Sequence, residues 1–426
     1  MRIPLNRVTT AGLIVALGII YGDIGTSPLY VLNAITNGRV INEKLILGSL
    51  SCIIWTLTLQ TTIKYVILTL KADNRGEGGI FSLYALVRRQ KRWLVLPAMI
   101  GGAALIADGM ITPPITVTSA IEGLRQLPFI HKIEDWTIVY IVIGILTLLF
   151  LMQQFGTSVL GKLFGPIMTV WFMILAIMGS LHLVDDLQIF KALNPYYAIE
   201  LLVTYPKGFY ILGAVFLCTT GAEALYSDLG HCGRNNIRVS WIFVKSCLIL
   251  NYLGQGAWLI KNWNGHRITQ DMIDSGFNAF YGIMPEWFKI PGIIIATGAA
   301  IIASQALISG SFTLISEAMR LNLWPKLKIN YPTEERGQLY IPGVNTLLFI
   351  GCIGITLYFK KSSNMDAAYG LAITLCMIAT SILFANFLVG RRVPSIWIWL
   401  YLIVYFTIEI SFLIANLNKF PHGGFV

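Results

Sequence analysis

The sequence predicts an all-α, polytopic membrane protein organised as a single transmembrane domain over residues 1–426. Hydrophobic residues make up 56% of the chain and charged ones 12%, about half the charged share of a soluble domain. Apolar runs long enough to cross a hydrocarbon core about 30 Å thick recur from end to end. Two of these runs are interrupted at related places by short polar breaks that contain glycine and a carboxylate, as in transporters whose inverted repeats carry discontinuous helices.

Taken in order, eleven runs cover 11–34, 45–70, 94–124, 137–153, 159–181, 208–228, 239–260, 290–318, 341–359, 367–389 and 396–415. The first follows Arg2 and Arg7 and imitates a signal peptide, but no small-residue cleavage site follows it, so it is expected to remain as a helix. The loop after it has Arg39 and Lys44, whereas the next has Lys71, Arg75, Arg88, Arg89, Lys91 and Arg92. This bias puts the second loop inside and the N-terminus in the cytoplasm. The same alternation places Arg234, Arg238, Arg320, Lys326, Lys328, Arg336, Arg391 and Arg392 in inner loops. The net charge of +10 is then a topology signal, and nucleic-acid binding is a poor alternative.

The break in the first run is Gly22-Asp23-Ile24-Gly25-Thr26-Ser27-Pro28-Leu29-Tyr30. Pro28 has no amide hydrogen and leaves the Ile24 carbonyl without its helical partner. In lipid, such an oxygen is tolerated only when buried in protein or facing a wet cavity. Pro113 and Pro114 in the third run release the carbonyls of Gly109 and Met110 in the same way. The sixth run carries the second break, Thr219-Thr220-Gly221-Ala222-Glu223-Ala224-Leu225-Tyr226. Each break joins glycine and an acid to Leu-Tyr, and five spans separate them, so the second copy runs opposite to the first. This predicts discontinuous first and sixth helices in inverted repeats over 11–181 and 208–389, followed by an additional helix and a C-terminal segment over 390–426.

Asp23, Asp108, Glu122 and Glu223 lie in or near buried segments, where a charge costs at least about 2.5–3.5 kcal/mol. Asp108, Thr112, Thr116 and Ser119 follow helical spacing and share one face. Carbonyls, hydroxyls and few carboxylates suit a dehydrated monovalent cation such as potassium. Two acids beside the breaks would repel an anionic or zwitterionic substrate. Other readings are structural: Thr116 and Ser119 can bond their own helix carbonyls, Glu122 can snorkel, and Gly298, Ser304, Ser309, Gly310 and Ser311 suit helix contact. The Gly76-Glu77-Gly78-Gly79 turn is expected to be a flexible hinge. Cys52, Cys218, Cys247, Cys352 and Cys376 lie in apolar runs and Cys232 in a loop. The five histidines are scattered, so neither disulfide nor metal spacing is evident, and no nucleophile–base pair suggests an enzyme.

Several stretches resemble the Kup/HAK/KT potassium-uptake family: Tyr21 to Tyr30, Gly76-Glu77-Gly78-Gly79-Ile80-Phe81-Ser82-Leu83-Tyr84-Ala85-Leu86, Ala107-Asp108-Gly109-Met110-Ile111-Thr112-Pro113-Pro114, Thr220-Gly221-Ala222-Glu223-Ala224-Leu225-Tyr226, Ala368-Tyr369-Gly370-Leu371-Ala372, and Ala415-Asn416 with Phe420-Pro421-His422-Gly423-Gly424. The resemblance implies an amino acid–polyamine–cation type fold and proton-coupled potassium symport in the cell membrane. It implies that Asp23, Tyr30, Asp108, Thr112, Thr116, Thr220, Glu223 and Tyr369 line the cation pathway. Tyr369 comes from the resemblance alone, since a tyrosine in an apolar run is ordinarily core or interfacial. Potassium, protons and the lipid bilayer are the implied partners, with no cofactor and a homodimer left open. The family's twelfth helix and cytoplasmic domain normally follow the Gly-Gly motif, and this sequence stops at Val426.

Among the acids, Asp23 is expected to supply the charge for potassium and Glu223 to carry the proton, with Asp108 able to share it. A passive potassium channel and a sodium-coupled organic-solute carrier are the alternatives.

Overall fold

A computed structural model describes residues 8–74, 76–127, 133–155, 158–332 and 339–419. Arg2, Arg7, Arg75, Arg336 and the Phe420 to Gly424 motif lie outside the described residues. Within them the protein is an all-helical membrane bundle. Ten helices are long and apolar enough to cross a membrane, and a bent pair makes an eleventh span.

The first span is that pair, Thr10–Ile19 and Gly22–Leu29, bent by 67°. The remaining spans are Glu43–Lys71, Arg92–Gln126, Asp135–Phe155, Leu163–Leu183, Gly208–Ser227, Arg234–Trp263, Glu286–Arg320, Pro342–Phe359, Ser362–Gly390 and Ser395–Leu417, numbered second to eleventh below. The third span packs against the eighth, ninth and tenth, and the seventh packs against the fifth.

Three local features differ from expectation. Arg234 and Arg238 lie in the first turns of the seventh span instead of a loop. Arg238 reaches back to the second span, where Nε donates to Val66 O and Nη2 to Ile67 O, both at 3.1 Å, and so satisfies carbonyls near a helix end. Cys232 ends a short helix and is buried. The Gly76 to Gly79 turn is tightly packed: a Cβ on Gly78 would fall 2.0 Å from Tyr226 O, and the Tyr226 hydroxyl donates to Ala72 O at 2.7 Å. Its glycines permit that approach, and Gly76 and Gly79 both take positive φ.

The second span departs from α geometry over Leu57–Leu68, which forms a π-helix. Thr62 and Thr69 hydroxyls donate to the carbonyls five residues earlier, Leu57 O and Lys64 O. The third span, by contrast, stays helical through Pro113 and Pro114. The Gly109 carbonyl freed there is approached by the Cys352 thiol at 3.8 Å.

Small residues set the closest helix contact. A Cβ on Gly254 would lie 2.2 Å from Gly179 O, and one on Gly179 would lie 2.3 Å from Leu250 O, so the fifth and seventh spans meet backbone to backbone. Gly254→Val is therefore expected to destabilise the fold by about 1–3 kcal/mol. The check is the midpoint of thermal unfolding in detergent, which should fall.

Candidate functional site

The two breaks touch each other, and the local sequence explains how. The first half-helix ends at Ile19, with Ile20 as its cap. Gly22 then passes so near the eighth span that a Cβ would lie 2.7 Å from Ala303 Cα. Pro28 begins a tighter turn, Ser27–Leu29. The polar backbone here is held from other spans: Trp171 Nε1 donates to Gly25 O at 2.9 Å, and Gln255 Nε2 donates to Pro28 O at 3.2 Å. In the sixth span a tight turn over Phe216–Thr219 gives way to extended Thr220 and left-handed Gly221, φ +81°, before Ala222–Ser227 resumes the helix. A Cβ on Gly221 would be 3.0 Å from both Asp23 Cβ and Ile24 N. Glycine is required there twice over, for its φ and for its closeness to Asp23.

Around this contact the structure gathers most of the residues expected from sequence. Tyr369 Oη donates to Asp23, 3.1 Å from both Oδ1 and Oδ2, tying the tenth span to the first break. Thr112 lies beside Tyr369 and donates to Asp108 Oδ1 at 2.6 Å. On the other side of Asp23, the hydroxyls of Ser27 and Thr220 are 2.9 Å apart, and Tyr30 Oη is 3.4 Å from Thr220 Oγ1. Thr26 and Ser27 hydroxyls donate to Asp23 O at 2.9 and 3.4 Å. Asp23 is 3% exposed, Tyr30 4%, Thr220 0% and Tyr369 0%, so these side chains are buried in the bundle.

Thr116 and Ser119 donate to Thr112 O and Ile115 O at 2.6 and 2.7 Å, on their own helix. Glu122 accepts from Ser362 N at 3.1 Å and Ser362 Oγ at 2.5 Å, and so secures the start of the tenth span. Ser304, Ser309 and Ser311 likewise bond carbonyls one turn back.

The Glu223 carboxylate takes its hydrogen bonds from residues outside the Asp23 cluster. Its Oε1 accepts a short hydrogen bond from Tyr65 Oη, and Oε2 accepts from Thr380 Oγ1 at 3.2 Å. Behind Tyr65 lies an ion pair absent from the sequence reading: Lys64 Nζ is 2.5 Å from Glu409 Oε1, with both side chains fully buried. Lys64 also donates to Tyr65 Oη at 3.1 Å and Met377 O at 3.0 Å, and Ser381 Oγ donates to Glu409 at 2.9 Å. The signal that could have found the pair is the one that found Asp23, an ionisable residue inside an apolar span.

Chemically, the Asp23 side offers carboxylates and neutral hydroxyls without a formal cation, which suits a monovalent cation. Among the described residues no group of three or more His, Cys, Asp or Glu could hold a metal ion.

Comparison with known proteins follows the same lines. Residues 10–426 match the family model described as "K+ potassium transporter integral membrane domain". A Flavobacterium johnsoniae protein named "Probable potassium transport system protein Kup" is 59% identical over 422 residues, covering 99% of this chain and 64% of its own length. A Clostridium perfringens protein of the same name is 53% identical over 431 residues, covering 99% of this chain and 65% of its own length. The chain thus spans about 64% of the length of such relatives. The crystal structure of MhsT in complex with L-phenylalanine aligns over 98% of this chain and 99% of its own with TM-score 0.55 and 12% identity, a likeness of fold.

Asp23→Asn is expected to weaken monovalent-cation binding by at least about tenfold, roughly 1.4 kcal/mol, while the purified variant keeps the elution profile of a folded protein. Tyr30→Phe and Thr112→Val should each weaken binding less. Equilibrium binding of labelled rubidium measures all three, and wild-type affinity throughout would assign these groups to packing.

Proposed function

This chain belongs to the K+ potassium transporter family, and from that premise we propose that it takes up potassium across the cell membrane by potassium:proton symport with alternating access. The carrying observation is the Asp23 carboxylate, held at a helix break between Tyr369 and the second break at Gly221. Broken helices that meet in this way offer backbone and side-chain oxygens to an ion near the midplane. In this reading Asp23, Tyr30, Asp108, Thr112, Thr116, Thr220 and Tyr369 bind potassium, while Glu223, with Asp108 able to share, carries the proton.

The Tyr65 and Thr380 contacts support a separate task for Glu223, since they bond its carboxylate to residues outside the Asp23 cluster. In this reading the N-terminus is cytoplasmic, which the bias of Lys and Arg among the loops supports, and residues 11–181 and 208–389 are the two repeats that move against each other.

The test is flux in proteoliposomes. An imposed inward proton gradient should drive rubidium or potassium accumulation, with potassium-dependent acidification of the lumen. Currents that reverse only at the potassium potential would identify a channel instead. Glu223→Gln should bind potassium as the unaltered protein does yet lose proton-driven accumulation, because glutamine resembles the protonated acid but releases no proton. Full acidification in that variant would move the proton to Asp108 or elsewhere.

A further inference from the structure

Lys64 and Glu409 form a fully buried pair, and burying two charges carries a desolvation cost that hydrophobic residues of similar size would avoid. The pair is also chained to the carboxyl read above as the proton carrier. Tyr65 Oη accepts from Lys64 Nζ at 3.1 Å and donates to Glu223 Oε1. Four protonatable groups from three spans thus stand in one hydrogen-bonded line: Glu223 of the sixth, Tyr65 and Lys64 of the second, Glu409 of the eleventh. Met377 O of the tenth span fixes the ammonium from the side. The other titratable groups facing the line are Cys376, Tyr401 and Tyr405. Glu409 Oε2 has no hydrogen-bond partner, which leaves one oxygen of the pair able to accept a proton.

Two members of the line, Lys64 and Tyr65, are adjacent residues of the π-helix Leu57–Leu68, and each is fully buried.

We propose that Tyr65 relays the coupling proton between Glu223 and the Lys64–Glu409 pair, an inference that rests on Glu223 as the proton carrier. In the loading direction Lys64 Nζ gives a proton to Tyr65 Oη as Tyr65 gives its phenolic proton to Glu223 Oε1. One N–H and one O–H bond break, two O–H bonds form, and the net charge of the four groups is unchanged. Lys64 is left a neutral amine and Glu223 a neutral acid. A proton taken from water by Glu409 then passes to Lys64 and restores the ammonium. The reverse sequence returns a proton from Glu223 to water. Lys64 lies about two turns from Lys71 at the end of the span, which puts this route in the half of the bundle that the basic loops mark as cytoplasmic.

Tyr65→Phe keeps the ring and removes only the hydroxyl. In proteoliposomes it should bind potassium as the unaltered protein does, while potassium-dependent lumen acidification falls by about a hundredfold. A second variant, Lys64→Met with Glu409→Gln, replaces the pair by neutral groups of similar size and removes the risk of one unpaired buried charge. It should retain potassium–rubidium exchange at equal pH and lose proton-driven accumulation. Undiminished acidification in Tyr65→Phe, or proton-driven accumulation in the double variant, overturns the relay. Acidification absent from the unaltered protein overturns the symport reading together with the relay, so the two failures are distinguishable.

Discussion

Hydrocarbon offers no hydrogen-bond partner, and that constraint orders the bundle. At several places where the backbone leaves α geometry, another span supplies a contact. Trp171 holds the Gly25 carbonyl, Gln255 the Pro28 carbonyl, and Arg238 the carbonyls of Val66 and Ile67. The irregular segments are therefore cross-linked parts of the bundle. Because their carbonyls are fixed from outside, the side chains at the breaks are free to face inward, where Asp23, Ser27, Tyr30 and Thr220 meet.

Five of the buried ionisable groups fall into two sets with different surroundings. Asp23 and Asp108 are bonded by the hydroxyls of Tyr369 and Thr112 and have no ammonium or guanidinium bonded to them. Glu409 has Lys64 against it, and Glu223 reaches the same lysine through Tyr65. The division is physically sensible, because a fixed lysine beside the first set would compete with any bound cation at short range. Gly221 is the boundary between the sets: its missing side chain lets the second break abut Asp23, and the helix it starts turns Glu223 toward Tyr65.

Span number, the broken first helix and the interruption at Thr220 and Gly221 were legible in the sequence, because hydropathy and the special chemistry of proline and glycine act locally. Asp23, Tyr30, Asp108, Thr112 and Thr220 were legible as polar groups inside apolar runs. The resemblance to a known family singled out Tyr369, whose bond to Asp23 spans 346 positions and leaves no local trace. Lys64 and Glu409 were missed because each alone barely lowers the hydropathy of its span, and their pairing depends on how the second and eleventh spans pack. Arg234 and Arg238 were placed one element too early, since long basic side chains let a helix extend beyond its apolar run. The Gly76 to Gly79 turn looked mobile because glycine content reports conformational freedom, while the carbonyl of Tyr226 above it does not appear in that stretch of sequence.

The π segment has a consequence for how the second span tolerates change. Its wider turn holds one more residue than an α turn, so the segment works as a phase shifter: everything after it is rotated relative to everything before. Removing a single residue without a compensating change of winding would swing the downstream face by about 100°. Lys64 would then be presented to lipid or to a different neighbour while every amino acid around it stayed the same. Over Leu57–Leu68 the length of the chain is thus a specification in its own right, and a one-residue deletion there is a more radical change than most substitutions.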